Sequence, residues 1–331
     1  MKHILVSGGL GFIGISLLKH LSRHPDVFIH NIDNLSLGVT FFEKLVPANR
    51  QARVKTYIDD INNQDLVSAI LQDNDINQVY HLAAESHVDR SISGPRVFYE
   101  SNVMGTLSMV EACRNYIDRS SREGFRFLHI STDEVFGDLG PEDSAFSESS
   151  SYHPSSPYSA SKASSDFIIK SSHRTFGFPG IVTNCSNNFG PGQNAEKLIP
   201  TIINSLSSGR KIPIYGNGQN IRDWLFVDTH VAYLEAIMAA GKSGQSYLIG
   251  GDMELTNLEL VACIHKVFIS RRPDQKKEFE DIFEFVTDRL GHDRRYAINT
   301  SKLKSHFPKV LGVDFDKALS ETLDFYLEND D

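Results

Sequence analysis

Ile4-Leu5-Val6-Ser7-Gly8-Gly9-Leu10-Gly11-Phe12-Ile13-Gly14 is the stretch that decides the fold. A short aliphatic run reads as a fully buried strand, and spaced glycines then open a helical pattern lasting to about Arg23. A second apolar run, Val27-Phe28-Ile29-His30-Asn31-Ile32, ends at Asp33 and completes a βαβ unit of about 30 residues. Glycines at 8, 11 and 14 let the backbone turn tightly and approach a pyrophosphate, whose charge is met by N–H groups at the helix start. Asp33 stands nineteen residues beyond Gly14, where a carboxylate can bond both hydroxyls of a ribose. No arginine lies between Asp33 and Glu43 to accept a 2′-phosphate, so NAD+ is expected rather than NADP+.

Working outward, strands and helices alternate. Val54–Ile58 reads as a third strand, followed by Asp59-Asp60-Ile61, which composition alone would make an ordinary helix cap. Gln78 to Ala84 is a fourth strand and its exit, where the small Ala83 and Ala84 suit either packing or close approach to a flat cofactor. A helix from Pro95 to about Tyr116 carries Asn102 and Thr106 on one face. Phe125–Ile130 is a fifth strand, Pro157–Phe176 a helix with proline in its first turn, and Ile181–Asn184 a sixth strand. The expected fold is α/β, a Rossmann-like doubly wound parallel sheet with ligands at the carboxyl edge of its strands. Beyond residue 185 the pattern loosens into a loop over 187–192, a turn over 216–219 and helices near 196–208, 228–241, 257–269 and 316–329. Arg271 to Lys277 reads as an exposed connector. Residues 1–185 are assigned to the dinucleotide domain, with about 222–245 returning to it, and 186–331 mainly to a smaller α/β substrate-binding lobe.

The bulk numbers exclude some classes. The chain has 331 residues, 33 basic against 42 acidic, for a net charge of −9. That balance argues against a nucleic-acid partner, which wants a basic face. Cys113, Cys185 and Cys263 are too few and too scattered for a disulfide framework or a zinc site, which points to a reducing compartment and no metal. The first strand is broken at once by Ser7-Gly8-Gly9, unlike a signal peptide, and no apolar run of about 18 residues occurs. A cytoplasmic location without membrane contact is expected.

The chemistry is concentrated in two places. Ser131-Thr132-Asp133-Glu134-Val135-Phe136-Gly137 puts a hydroxyl and two carboxylic acids at the end of a buried strand, a costly arrangement unless the acids work. Tyr158-Ser-Ala-Ser-Lys162 puts a phenol and an amine one helical turn apart, where the ammonium would lower the phenol's pKa from roughly 10. Such a phenol can take a proton from a sugar hydroxyl while hydride leaves the same carbon.

GxxGxxG, a strand-end Ser/Thr and YxxxK, in this order, resemble the short-chain dehydrogenase/reductase superfamily in its extended, sugar-nucleotide branch. Within that branch STDEVFG resembles the nucleoside-diphosphate-glucose 4,6-dehydratases, since epimerases usually carry small or hydroxyl residues where Asp133 and Glu134 stand. HLAAESHVDRS (81–91), TNCSNNFG (183–190), EKLIP (196–200), RDWLFV (222–227) and GHDRRY (291–296) resemble the dTDP-glucose members, so the likeness covers nearly the whole chain. It implies that Tyr158 oxidises C4 with NAD+, that Glu134 removes the C5 proton, and that a protonated Asp133 gives a proton to the departing C6 hydroxyl. Hydride then returns to C6, and Thr132 bonds the C4 oxygen. The two acids should therefore have pKa values pushed apart. Carried over by motif, the cofactor would meet Gly8, Gly11, Phe12, Ile13, Gly14, Asp33, Asn34, Asp60, Ile61, Leu82, Ala83, Ala84, Thr106, Tyr158, Lys162 and Asn188, with Asp59 competing for the place of Asp60. The sugar nucleotide would meet Ser86, Thr132, Asn187, Lys197, Leu198, Pro213, Tyr215, Arg222, Asn257, Arg289 and His292. Arg222 and Arg289 are natural pyrophosphate partners, because a guanidinium fork matches phosphate oxygens; Arg294 and Arg295 could equally be solvated surface charge. Family members commonly form homodimers through the helices near 95–115 and 157–176, where Val97, Met104, Ile168 and Ile169 could make the contact or face the sheet. The chain departs from the family pattern at Phe136 and Phe189, usually tyrosines, and at Leu290, usually a proline near the nucleotide.

Three other readings remain at this stage: the same dehydration on UDP-glucose or another nucleotide hexose, a 4-epimerase, in which Asp133 and Glu134 would have no task, and a silent NAD-binding regulator, which would be expected to have lost Tyr158, Lys162 or the acids.

Overall fold

A computed structural model describes residues 1–36, 41–120 and 123–329. Its frame is a seven-stranded, all-parallel sheet. The strands are β1 (Lys2–Ser7), β2 (Val27–Asp33), β3 (Val54–Ile58), β4 (Gln78–His81), β5 (Arg126–Thr132) and β6 (Gly180–Cys185); the last, Ser246–Ile249, comes from far downstream. In space, Ser246–Ile249 lies beside β6, followed by β5, β4, β1, β2 and β3. The order reverses between β1 and β4, so their carboxyl ends frame the crevice where such sheets bind ligands. Both faces are covered, which is why β1 from Ile4 onward and all of β6 are buried without alternation. Helices Phe12–Leu21 and Val227–Ala240 pack on one face, and Gln64–Asp73, Gly105–Ser120 and Pro157–Phe176 on the other.

The expected helices are present, and the Pro157–Phe176 boundaries match those read from the sequence. Ser156 caps that helix in a capping box with Ser159, and Gly177 closes it at φ +69°. The helix expected from Pro95 is interrupted by a π-turn at Tyr99–Met104, and residues 257–271 form a helix capped by Thr256 and Glu259. Asp59-Asp60-Ile61 is not a helix cap: Asn63 caps the helix that follows, at Leu66 N–H. Strand β5 runs two residues further than expected and carries Ser131 and Thr132; Asp133–Phe136 is one short 3-10 turn.

The second lobe holds a separate core around Ile199, Ile203, Trp224, Leu260, Phe268 and Leu319. Residues 187–189, expected in a loop, are instead a short strand parallel to Ile221–Phe226, which pairs antiparallel with Glu254–Thr256. Ile212–Tyr215 pairs in parallel with Phe283–Val286. Arg271 to Lys277 is exposed, as a connector should be. Among the described residues no helix is long and apolar enough to cross a membrane.

Candidate active site

The glycine turn is built for a close approach. Gly8 sits at φ +72°, and a Cβ there would lie 2.6 Å from the Ala83 nitrogen; one on Gly14 would lie 2.2 Å from the Gly8 carbonyl oxygen. Asp33 closes the end of β2 by accepting hydrogen bonds from Leu10 N–H (2.8 Å) and Leu35 N–H (2.9 Å). Asn34 donates to the Asp60 carboxylate at 3.0 Å. The cavity beside this turn is lined by Gly8, Gly11, Phe12, Ile13, Gly14, Asp33, Asn34, both Asp59 and Asp60, Ile61, Leu82, Ala83 and Ala84. It runs on without a break to Thr132, Asp133, Glu134, Tyr158 and Lys162, and then to Ser86, Asn187, Asn188 and Lys197. Both halves of the expected site therefore open into one cleft. Residues 37–40, within the arginine-free stretch, lie outside the described residues.

Thr106 does not reach this cleft. It is 1% exposed and sits behind β4, its hydroxyl 2.9 Å from His81 Nε2, while the other His81 nitrogen meets Ser7 at 2.7 Å. The cleft wall also contains Ser36, His87, Ser101, Cys185, Ser186, Gln193, Asn194 and Glu196, which the sequence reading missed. The only sequence signal for Cys185 and Ser186 was their place at the end of a buried strand. Nothing local marked Gln193 or Glu196.

Thr132 organises the acidic turn. Its hydroxyl donates to Asp133 at 3.3 Å and accepts from the Glu134 N–H, also at 3.3 Å. Asp133 is 1% exposed, and its second carboxylate oxygen has no hydrogen-bond partner. Burial, then Glu134 and Asp223, push its carboxyl well above the usual range. Burial raises Glu134 as well, but Arg289, Arg222 and Lys197 all pull it back. Both carboxyls are therefore raised, Asp133 well above the usual range, while Glu134 has three nearby cations opposing its burial. The lysine behaves less simply than its spacing suggests. Lys162 Nζ donates to the Ile130 carbonyl at 2.8 Å, and burial lowers its pKa to about 8. Tyr158 is not lowered: burial and Glu134 hold the phenol well above its ordinary value, and the Thr132 hydroxyl pulls it back only in part.

Of the remaining expected nucleotide residues Lys197 lines this cleft, while Tyr215, Arg222, Arg289 and His292 stand outside its lining. Lys197 donates to the Ser86 carbonyl at 3.3 Å. Arg289 lies 3.6 Å from Asp89, its Nε buried without a partner, and the Tyr215 hydroxyl reaches Asp89 at 3.5 Å. His292 is held by Asp288 at 2.6 Å, packed edge-on to Tyr215, so Asp288 fastens the loop that lacks the family proline, and Leu290 points outward at 77% exposure. Arg222 is 5% exposed and already committed, donating to the Ile221, Asp293 and Arg294 carbonyls and stacking on Tyr296 at 4.2 Å. Leu198 begins the 198–207 helix, Asn257 is buried with its N–H on the Asn220 carbonyl (3.1 Å), and Pro213 is exposed on its strand; none of the three lines the cleft. Arg295 is not free surface charge, since it pairs with Glu254 at 2.8 Å. Phe136 packs on Phe146 and Tyr152, and Phe189 on Trp224, Phe226 and Phe315, so both replace a hydroxyl by ring packing.

A family model described as GDP-mannose 4,6 dehydratase matches residues 5–322. The dTDP-glucose 4,6-dehydratase of Haemophilus influenzae is 43% identical, over 99% of this chain and 99% of its own length. One from Escherichia coli is 42% identical, over 98% of this chain and 94% of its own. The chain belongs to the dTDP-glucose 4,6-dehydratase family. Solved structures agree with this family placement. The Bacillus anthracis dTDP-glucose 4,6-dehydratase in complex with NAD superposes with a TM-score of 0.87 at 35% identity, covering 100% of this chain and 98% of that one. The Streptomyces venezuelae enzyme, with NAD bound, gives 0.88 at 36%, covering 99% and 98%. A UDP-glucose 4-epimerase from Thermotoga maritima gives 0.86 at only 23% identity, covering 100% of both chains. Fold alone therefore does not separate dehydratase from epimerase, and the residues of the cleft must.

Proposed function

We propose that this family member converts dTDP-glucose to dTDP-4-keto-6-deoxyglucose using bound NAD+, as a hydro-lyase. The observation that carries the reading is the pair Asp133 and Glu134, adjacent at one strand end, buried unequally against nearby cations, and open to the same cleft as Tyr158 and Lys162. An epimerase has no use for two such acids.

NAD+ fits the cleft: the turn at Gly8 and Gly14 leaves room for backbone contact where a Cβ would collide, and Asp33 stands at the end of β2. Gly8 to Gly14, Asp33, Asn34, Asp60, Ile61, Leu82 to Ala84, Tyr158, Lys162 and Asn188 would hold it. When bound it accepts hydride from C4 of the sugar and later returns hydride to C6. In this reading Tyr158 takes the C4 hydroxyl proton as a phenolate, Lys162 and the bound cofactor would supply the positive charge that offsets the burial of the phenol, and Thr132 steadies the C4 oxygen. Glu134 takes the C5 proton once C4 is a ketone, and Asp133 gives its proton to the leaving C6 hydroxyl, so one water departs; a solvent-exchanged proton then returns to C5 from Glu134 as hydride reaches C6, and no net redox change remains. Ser86, Asn187, Lys197, Tyr215, Arg289 and His292 would hold the nucleotide. Arg289 is the better pyrophosphate ligand of the two arginines, since Arg222 is buried and already gives three hydrogen bonds to carbonyls.

A homodimer is part of the proposal. Val97, Tyr99, Met104, Phe167 and Phe176 are 41% to 58% exposed on the two neighbouring helical segments, enough apolar surface to seek a second copy. Of the residues expected there, Val97 and Met104 are exposed, Ile169 is in the core and Ile168 packs against it. The unpaired cysteines, two of them buried, suit a reducing cytoplasm.

The test is incubation of the pure protein with dTDP-glucose and with UDP-glucose in deuterium-enriched water. A 4-keto-6-deoxy product labelled at C5 from dTDP-glucose is expected; the same product only from UDP-glucose would reassign the base, and a galacto sugar with no water lost would make the chain an epimerase.

A further inference from the structure

The proposed reaction needs two sets of groups held in register on different elements: Tyr158 and Lys162 on a helix, and Thr132, Asp133 and Glu134 at the end of β5. We propose that Asp166, acting through Asn184, is the positioning residue that locks these two sets together. The inference rests on the dehydratase reading.

Asp166 lies one turn beyond Lys162 on the same helix and is 0% exposed. Asn184, also 0% exposed, sits on β6 directly opposite Ser131 of β5. The Asn184 amide donates to the Asp166 carboxylate at 2.9 Å and to the Thr132 carbonyl at 3.1 Å. A single NH2 group thus ties the tyrosine-lysine helix to the residue from which the acidic turn springs. The same Asp166 oxygen accepts from the Tyr152 hydroxyl at 2.8 Å, which Lys170 Nζ reaches at 2.7 Å. His129 Nε2 lies 3.3 Å from the other oxygen.

A carboxylate this deep is expensive, and while one oxygen accepts from Asn184 and Tyr152, the other has only the His129 ring beside it and no hydrogen bond. Burial works to raise its pKa, but His129, Lys162 and Asn184 outweigh that and hold it below the ordinary carboxylate value. The charge also reaches Lys162. Asp166 and, from β6, Cys185 work against burial to keep that amine protonated, while His129 on β5 and His81 on β4 face it from the sheet, and Tyr158 shares its helix.

Two consequences separate. Replacing Asn184 frees the Thr132 carbonyl while leaving Lys162 bonded to Ile130, so elimination, which needs both acids of the turn, suffers more than C4 oxidation, which loses only the Thr132 contact. Replacing Asp166 also removes a charge from Lys162, so the alkaline limb of the activity profile moves to lower pH. Neither split is produced by a general loss of folding.

The experiment compares wild type, Asn184→Leu, Tyr152→Phe and Asp166→Asn on dTDP-glucose in deuterium-enriched water, following C5 label and reduced-cofactor absorbance together. For Asn184→Leu, C5 labelling should fall by about tenfold to a hundredfold, the scale of a small misplacement of reacting groups. Reduced-cofactor absorbance should rise in the steady state. Tyr152→Phe, which keeps the ring packed on Phe136 and Phe167 and removes only the hydroxyl on Asp166, should show the same split at smaller size, and it decides the matter if the other variants do not fold. Oxidation and labelling falling in parallel, an Asp166→Asn profile with an unmoved alkaline limb, or variants equal to wild type would overturn the inference while leaving the dehydratase reading intact. A wild type that yields no product from any sugar nucleotide would overturn both.

Discussion

Lys162 Nζ donates to the carbonyl of Ile130 at 2.8 Å, so the amine of the long helix is fastened to the strand that ends in the acidic turn. With burial lowering its pKa to about 8, this lysine sets an alkaline limit on the reaction. Activity should fall as pH rises through about 8, where the ammonium is lost. On the acid side, Glu134, raised above its ordinary value, loses activity as pH falls through its folded-state pKa. A rate profile against pH on dTDP-glucose checks both limbs; a flat alkaline region past that value would remove Lys162 from its role.

Tyr158→Phe should abolish C4 oxidation. Loss of a positioned acid-base group costs about 10²- to 10⁴-fold in rate. The purified variant should still carry cofactor, because the glycine turn and Asp33 are untouched and only the Tyr158 hydroxyl contact is lost. Product formation and bound-NAD assays together check this.

Glu134→Gln and Asp133→Asn should fail at different points from Tyr158→Phe. Glu134→Gln keeps the redox groups and loses the base for C5, so reduced cofactor should accumulate without C5 labelling. If that variant turns over normally, the assignment of Glu134 as base is wrong.

Asp133→Asn should also be more stable than wild type near neutral pH, by about 0.5 to 2 kcal/mol, as is common where a costly active-site group is removed. The sign follows from the direction of its shift. A folded-state pKa raised by burial means that the folded chain keeps a proton which the unfolded chain releases above about 4. Stability from this group is therefore complete below that pH and is lost as pH rises, so the advantage of asparagine should open with rising pH. Thermal unfolding of both proteins at several pH values measures it.

Gly14→Ala should yield folded protein without NAD, since the new Cβ would sit 2.2 Å from the Gly8 carbonyl oxygen in the turn that meets the pyrophosphate. Cofactor content after gel filtration checks it, against circular dichroism for the fold.

The parts of this fold that were legible in the sequence are those encoded locally. The glycine turn, the first six strands and the Pro157–Phe176 helix announce themselves through periodicity, capping and backbone geometry. The acids were legible because two carboxyls after a buried strand conflict with their surroundings. What escaped depends on partners distant in sequence. Asn187-Asn188 looks like a turn by composition, and becomes a strand only because Trp224 and Leu225 lie alongside. Thr106 looked ready for the cofactor, yet His81, twenty-five residues away in sequence, claims its hydroxyl. The rise of the Tyr158 phenol depends on how deeply the helix sinks against β5, which spacing cannot show.

The strand Ser246–Ile249 has a consequence for how the chain is made. It pairs with Val182 to Cys185 and completes the central sheet, and the helix Val227–Ala240 just before it covers Phe12–Leu21. A ribosome that has released the first half of the protein has therefore released a sheet with an open edge beside β6. Such an edge is prone to pair with other chains until it is covered. The nascent enzyme must wait through the synthesis of some sixty more residues before the four-residue strand Ser246–Ile249 covers β6 and becomes a shorter edge, so chaperone demand should peak within this interval of translation.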